Sequence, residues 1–186
     1  MKKLAVWSAV TISLAALFHL VGVWYLPRFI TRAAINRVNQ AAKREHYNQM
    51  IYSPIHSAGE DIIVLDNPDS MFSFAAYDVS EKPARIKCVV PNTDNYWSIS
   101  FYALNTDNFY VVNDRTAKAK ALDLVIVKTN GKYQKIGDEE IVVAPSDKGV
   151  VLVRMMVNDR NNKEELARLT ELQKQTVMQE VDHAAY

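Results

Sequence analysis

Tyr96-Trp97-Ser98-Ile99-Ser100-Phe101-Tyr102-Ala103-Leu104 decides the fold. Trp97, Ile99, Phe101 and Ala103 alternate with Ser98, Ser100 and Tyr102. A period of two places one set in a core and the other outside, which is the pattern of a strand. The reading extends in both directions. Short apolar runs recur at Ile62–Leu65, Met71–Val79, Arg85–Val90, Phe109–Val112, Leu122–Val127, Glu140–Val143 and Val150–Val157. Turn signals separate them: Asn67-Pro68-Asp69, Lys82-Pro83, Pro91-Asn92, Asn105–Asn108, Asn130-Gly131 and Ala144-Pro145. Asn and Gly tolerate positive φ, so Asn130-Gly131 predicts a tight turn. No helical segment alternates with these runs, so a parallel sheet is not expected. About eight short strands predict a mainly β chain, an antiparallel β-sandwich-like domain.

The turn Asn92-Thr93-Asp94-Asn95-Tyr96 returns as Asn105-Thr106-Asp107-Asn108-Phe109, one copy on each side of the central strand. The two are expected near its opposite ends. After the β region, Asn161-Asn162 offers a helix cap, with Glu164 and Glu165 in the first turn, where the helix dipole favours negative charge. Leu166, Leu169, Leu172 and Val177 then line one side, predicting an amphipathic helix of four or five turns that packs on the domain.

The other end of the chain is unlike the rest. Leu4 to Leu26 contains no Asp, Glu, Lys or Arg. About 20 apolar residues suffice for a helix to cross a hydrocarbon core of roughly 30 Å. Trp7 and Trp24-Tyr25 stand near its ends, about 25 Å apart on a helix, as interfacial aromatic belts do. A cleaved signal peptide is the alternative. The run exceeds the usual apolar stretch of such a leader, and no small-x-small site closes it. Pro27 is placed to end or bend the helix. Arg28, Arg32, Arg37, Lys43 and Arg44 follow among Ile30, Ala33, Ala34, Ile35 and Val38, as a second helix on the membrane surface or a continuation of the first. The expected organisation is a transmembrane anchor over 1–27, a basic juxtamembrane helix and linker over 28–59, and a β-rich soluble domain over 60–186.

Charge follows that division. Residues 1–50 carry a balance of +6 and the remainder −5. The basic stretch suits anionic lipid headgroups, which makes membrane lipid an expected partner. The acidic domain argues against nucleic acid, whose phosphates need a positive face. Cys88, the single cysteine, forms no intrachain disulfide and reads as a small core residue between Ile86 and Val90. None of the four histidines, His19, His46, His56 and His183, lies in the β region, and no nucleophile elbow, zinc-binding helix or phosphate loop is present. No metal, cofactor or catalytic residue is assigned. The polar groups of the turns, Asn67, Asp69, Asp94, Asn105, Asp107 and Asn108, are the candidates for holding a cation or polar ligand through oxygen. Capping of backbone groups is the competing reading. Arg154, inside Val150–Val157, either faces water or meets a carboxylate or anion.

These pieces in this order resemble a bacterial family, the domain of unknown function 1254. Its pattern has an N-x-D strand start, here Asn67-Pro68-Asp69 followed by Ser70-Met71-Phe72-Ser73. It continues with Tyr77-Asp78-Val79-Ser80 before Pro83, Val90-Pro91-Asn92 leading to Tyr96-Trp97, Thr106-Asp107-Asn108-Phe109, Asp114-Arg115-Thr116 and the late strand carrying Arg154. The resemblance covers about 60–180 and adds Arg115 to the candidate ligand-binding positions. Asn95 stands where the family often has Arg, and Ala117-Lys118 replaces a glycine region. Longer members of the family carry a second β domain, the domain of unknown function 1214. The resemblance therefore implies a membrane-anchored binding or assembly module paired with a separate companion-domain protein. An enzyme subunit, such as a hydrolase, with a site completed by a partner is the alternative, and a ligand-sensing domain on a stalk is a third. Lys2-Lys3 ahead of the apolar run resembles an export start and places the domain in the periplasm, anchored in a bacterial inner membrane. The downstream Arg residues argue for the cytoplasm by the positive-inside rule.

Overall fold

The computed structural model describes residues 2–41, 47–53, 55, 67, 69–91 and 95–182. Among these residues two sheets face each other. The first has the order β1 (Ile51–Ser53), β2 (Ser70–Asp78), β8 (Lys148–Met156), β4 (Trp97–Ala103), β5 (Asn108–Asn113). The second has the order β7 (Glu140–Ala144), β6 (Ala121–Lys128), β3 (Ala84–Val89), β9 (Val177–Glu180). Helix α1 (Lys2–Ala41) precedes them and α2 (Lys163–Lys174) lies between β8 and β9. The alternation in β4 holds for its apolar set, whereas Ser98 and Ser100, expected outside, are buried as well. Trp97, Ile99 and Phe101 enter the core with Met71, Ala75, Tyr77, Ile86, Leu124, Ile126, Val151 and Val153. Full burial of one such large apolar side chain contributes about 1.5–3 kcal/mol. Phe101 and Tyr110 add an edge-to-face pair at 5.4 Å.

Several expectations need correction. The pair β6–β7 is parallel, with Leu124 opposite Glu140 and Lys128 opposite Ala144. A parallel pair needs a crossover, and residues 129–139 supply it as an irregular segment where a helix would be usual. Asn130 does adopt positive φ there (62°), and the Gly131 N–H donates to Lys128 O at 2.8 Å. The C-terminal helix stops at Lys174, and Val177 belongs to β9 on the edge of β3. The segment read as a linker contains β1, paired with β2. The predicted run Ile62–Leu65 lies outside the described residues, as do His46, His56 and His183.

Helix α1 runs unbroken through Pro27. At ~1.5 Å per residue it is about 60 Å long, roughly twice a hydrocarbon core. Its apolar half is long and apolar enough to span a membrane, and none of its most apolar stretch is buried among the described residues. Thr31, Ile35, Val38 and Asn39, by contrast, are buried. Their spacing of i, i+4, i+7 and i+8 defines one helix face. Ile35 and Val38 form a second core with Phe74, Ala76, Ile51, Val150 and Leu152 on the outer face of the first sheet. As far as Ala41 the basic segment is thus a continuation of the first helix, and its apolar face meets protein; Lys43 and Arg44 lie outside the described residues.

Candidate interaction site

The polar residues singled out from sequence fall into separate groups. Asn67 accepts the Asp69 N–H at 3.0 Å, and Asp69 O accepts the Val157 N–H at 2.9 Å, at the end of the sandwich where β2 begins. Asn105, Asp107 and Asn108 lie at the other end, in the β4–β5 turn. There Asn105 donates to the Asp107 carboxylate at 2.5 Å. The length of β4, about 20 Å, separates the two groups. Arg115 is exposed in the turn after β5, where its N–H donates to Asn113 Oδ1 at 3.0 Å. Arg154 is half-buried on the outer face of β8, between Phe72 and Ser98, with no ion pair among the described residues. Asp94 lies outside the described residues. The seven described candidates therefore do not converge on one concave site.

What distinguishes this sandwich is the contrast between its two flanks. The β1/β9 flank is closed. The side-chain amide of the buried Gln173, on α2, donates to Ser53 O at 3.0 Å and Phe72 O at 2.8 Å. The Tyr52 hydroxyl donates to Thr176 O at 2.7 Å. Asn48, held at φ 60°, exchanges hydrogen bonds with the Asp78 backbone and reaches Glu180. Leu166, Leu169 and Leu172 of α2 pack beneath.

The β5/β7 flank is open. No strand among the described residues pairs with the outer edge of β7. Ile141 and Val143 point outward from it, 39% and 55% exposed, and Ile136 in the preceding crossover is 64% exposed. Across the gap, β5 presents Val111, 41% exposed. Tyr110 of β5 hydrogen-bonds Glu140 of β7; burial first, then this carboxylate, drives its phenol pKa upward. An unpaired strand edge offers backbone donors and acceptors, and adjacent apolar side chains favour another protein over water.

The crossover that delivers β7 is fixed by charge. The Glu139 carboxylate is buried and accepts the Ile136 N–H at 2.7 Å, the Gly137 N–H at 2.8 Å and the Tyr133 hydroxyl at 2.9 Å. Arg85 lies 3.9 Å away and binds Asp123 through two bonds of 2.6 Å. The Ile136 N–H above all, with the other donors, outweighs burial and holds the Glu139 carboxyl at about 2. Ile136 is therefore displayed on a braced segment. Sequence reading missed this site because Ile141-Val142-Val143 is a continuous β-branched run, which reads as buried on both faces. The signal available was Gly137-Asp138-Glu139, a turn with a carboxylate able to cap it.

The family described as "Protein of unknown function (DUF1254)" matches residues 47–180. Its start coincides with Tyr47, just ahead of β1. No curated protein matches. Among solved structures, the VPA0106 protein from Vibrio parahaemolyticus aligns over 88% of this chain with a TM-score of 0.63 and 14% identity. A putative uncharacterized protein from Burkholderia cenocepacia aligns over 82% with a TM-score of 0.48 and 16% identity. This chain spans only 38% and 41% of the length of those two proteins.

Proposed function

We propose, since this chain belongs to the DUF1254 family of unknown function, that it is a membrane-tethered docking module whose β5/β7 flank receives a companion β-domain protein. The observation that carries this reading is the outward display of Ile141 and Val143 on an edge strand whose outer side is unpaired among the described residues and whose approach segment is braced by Glu139. The greater length of the V. parahaemolyticus protein that shares this fold supports it, because there the same fold is accompanied by further chain. The apolar half of α1 serves as the tether.

The test places a photocrosslinking residue at Val143 of the full chain in native membranes, with Arg115 as the control position. The expected result is an adduct from position 143 alone, identified by mass spectrometry as a β-domain protein. Ile141→Lys with Val143→Lys should abolish its co-purification while the melting temperature stays within about 3 °C, as for surface changes. No adduct at 143, an adduct of twice the chain's mass, or co-purification that survives both lysines overturns the reading.

We further propose that the tether delivers the domain to the periplasm. A phosphatase reporter fused after Tyr186 is expected to be active and a fluorescent protein that folds only in the cytoplasm to be dark. The reverse pattern places the flank, and its partner, in the cytoplasm.

A further inference from the structure

Resting on the tether reading, the packing of α1 adds an orientation to it. The helix leaves the apolar segment and meets the domain first at Thr31, the earliest buried residue on its path. Arg32, the next residue, lies close enough to the Lys148 ammonium for its charge to oppose that of Lys148. Lys148 opens β8, pairs with Asp78 at 2.8 Å and sits over the Tyr47 ring at 4.7 Å. Ile35 and Val38, one and two turns further on, then reach Phe74, Ala76 and Ile51 of β2 and β1. The helix therefore enters over the start of β8 and proceeds toward the β1 side.

That direction selects one end of the sandwich. The start of β8 shares its end with the β7–β8 turn and the β4–β5 turn: Gly149 is opposite Ala103 and Tyr77, and Leu104 N donates to Ser146 Oγ at 2.9 Å. The start of α2 lies at the other end, where Val157 joins Asp69 and Asn95 meets Glu165. Only about one helical turn separates Leu26, the last residue of the apolar run, from Thr31. A helix continuous across that turn and clamped on the sheet leaves the domain little freedom to swing.

We infer that the domain rests on the bilayer with its β4–β5 and β7–β8 turns, Leu104–Asp107 and Pro145–Asp147, against the phospholipid headgroups, and with the start of α2 directed away from them. Arg32, beside Lys148, stands at the same level, and Arg28, whose guanidinium lies 4.5 Å from the Trp24 ring, precedes it by about one helical turn. They suit the phosphates there, while exposed Asp107 faces the outer headgroup zone.

Single cysteines at Asp107 and at Lys163, each in a Cys88→Ser background and each carrying a fluorophore, test this in the full chain. The chain is reconstituted in phosphatidylethanolamine–phosphatidylglycerol vesicles containing a headgroup-attached nitroxide quencher. Fluorescence at position 107 is expected to be quenched several-fold more than at 163. Ile35→Asp with Val38→Asp, which unclamps α1, should narrow that difference while the chain still floats with the vesicles. Floated chain with equal quenching at both positions, or stronger quenching at 163, overturns the orientation alone. Chain that fails to float after alkaline carbonate treatment overturns the tether reading beneath it.

Discussion

Gly149→Ala is expected to destabilise the domain more than any other single methyl addition, by roughly 3 kcal/mol, the upper part of the range for overpacking. Gly149 lies on β8 between Tyr77 of β2 and Ala103 of β4. A Cβ there would fall well inside van der Waals contact of the Tyr102 carbonyl oxygen and the Tyr77 phenol. The carbonyl belongs to the neighbouring strand and cannot swing away as a side-chain terminus would. The Tyr77 ring is equally confined: it is fully buried, packs edge-on against Phe109 at 6.4 Å, and burial drives its phenol up to about 12. A melt followed by far-ultraviolet circular dichroism should show a fall on the order of 10 °C. Val111→Ala, exposed on β5, serves as the comparison. Adding Tyr77→Phe should recover only part of the loss, because the backbone clash remains. A melting temperature within 2–3 °C of wild type, as surface changes give, would mean that β8 is out of register between β2 and β4.

The same strand shows what sequence could and could not disclose. Val150–Val157 was legible as a strand because β-branched residues cluster there, and the central run Trp97–Ala103 because polar and apolar residues alternate strictly. Asn162 was legible as a cap, and it accepts the N–H groups of Glu164 and Glu165 at 3.1 Å. The end of that helix was not. Val177 continues the apolar spacing of Leu166, Leu169 and Leu172, yet it pairs with Lys87 as the first residue of β9. Short edge strands carry too few residues to show a period, which also hid β1. The parallel β7 was hidden by a different cause. The rule linking parallel strands to intervening helices rests on the need to cover the sheet while crossing it. Here residues 129–139 make the crossing without a helix, held by Glu139. The apolar flank stayed invisible for a related reason: a run such as Ile141-Val142-Val143 states that two faces are apolar, and only the topology reveals that one of them has no cover among the described residues.

Glu139→Gln should loosen that crossover and tie stability to pH in a definite direction. Glutamine keeps the shape and loses the charge that draws the Ile136 and Gly137 N–H groups and the Tyr133 hydroxyl. At pH 7 a fall in melting temperature on the order of 5–10 °C is expected. The carboxyl moves from its ordinary 4.5 when unfolded to about 2 when folded. A depressed folded value means that the unfolded chain binds the proton first as pH falls. The stabilisation is thus complete above about pH 5, declines below 4.5, and is gone once the folded carboxyl titrates near 2. The difference in melting temperature between wild type and Glu139→Gln should follow that course and close in acid. Asp78 also sits below the usual carboxylate range, since the Lys148 ammonium and Ser80 outweigh the effect of burial. It is common to both proteins and cancels in the difference. A gap that persists unchanged to pH 2 would mean that the neutral acid serves as well as the anion, and that shape rather than charge holds the segment. The consequence for the flank is direct. Ile136 lies three residues from Glu139 and β7 begins one residue after it, so a loosened crossover should also weaken crosslinking at Val143. Loss of that adduct in Glu139→Gln, with Ile141 and Val143 intact, would separate a preorganised docking edge from a merely sticky one.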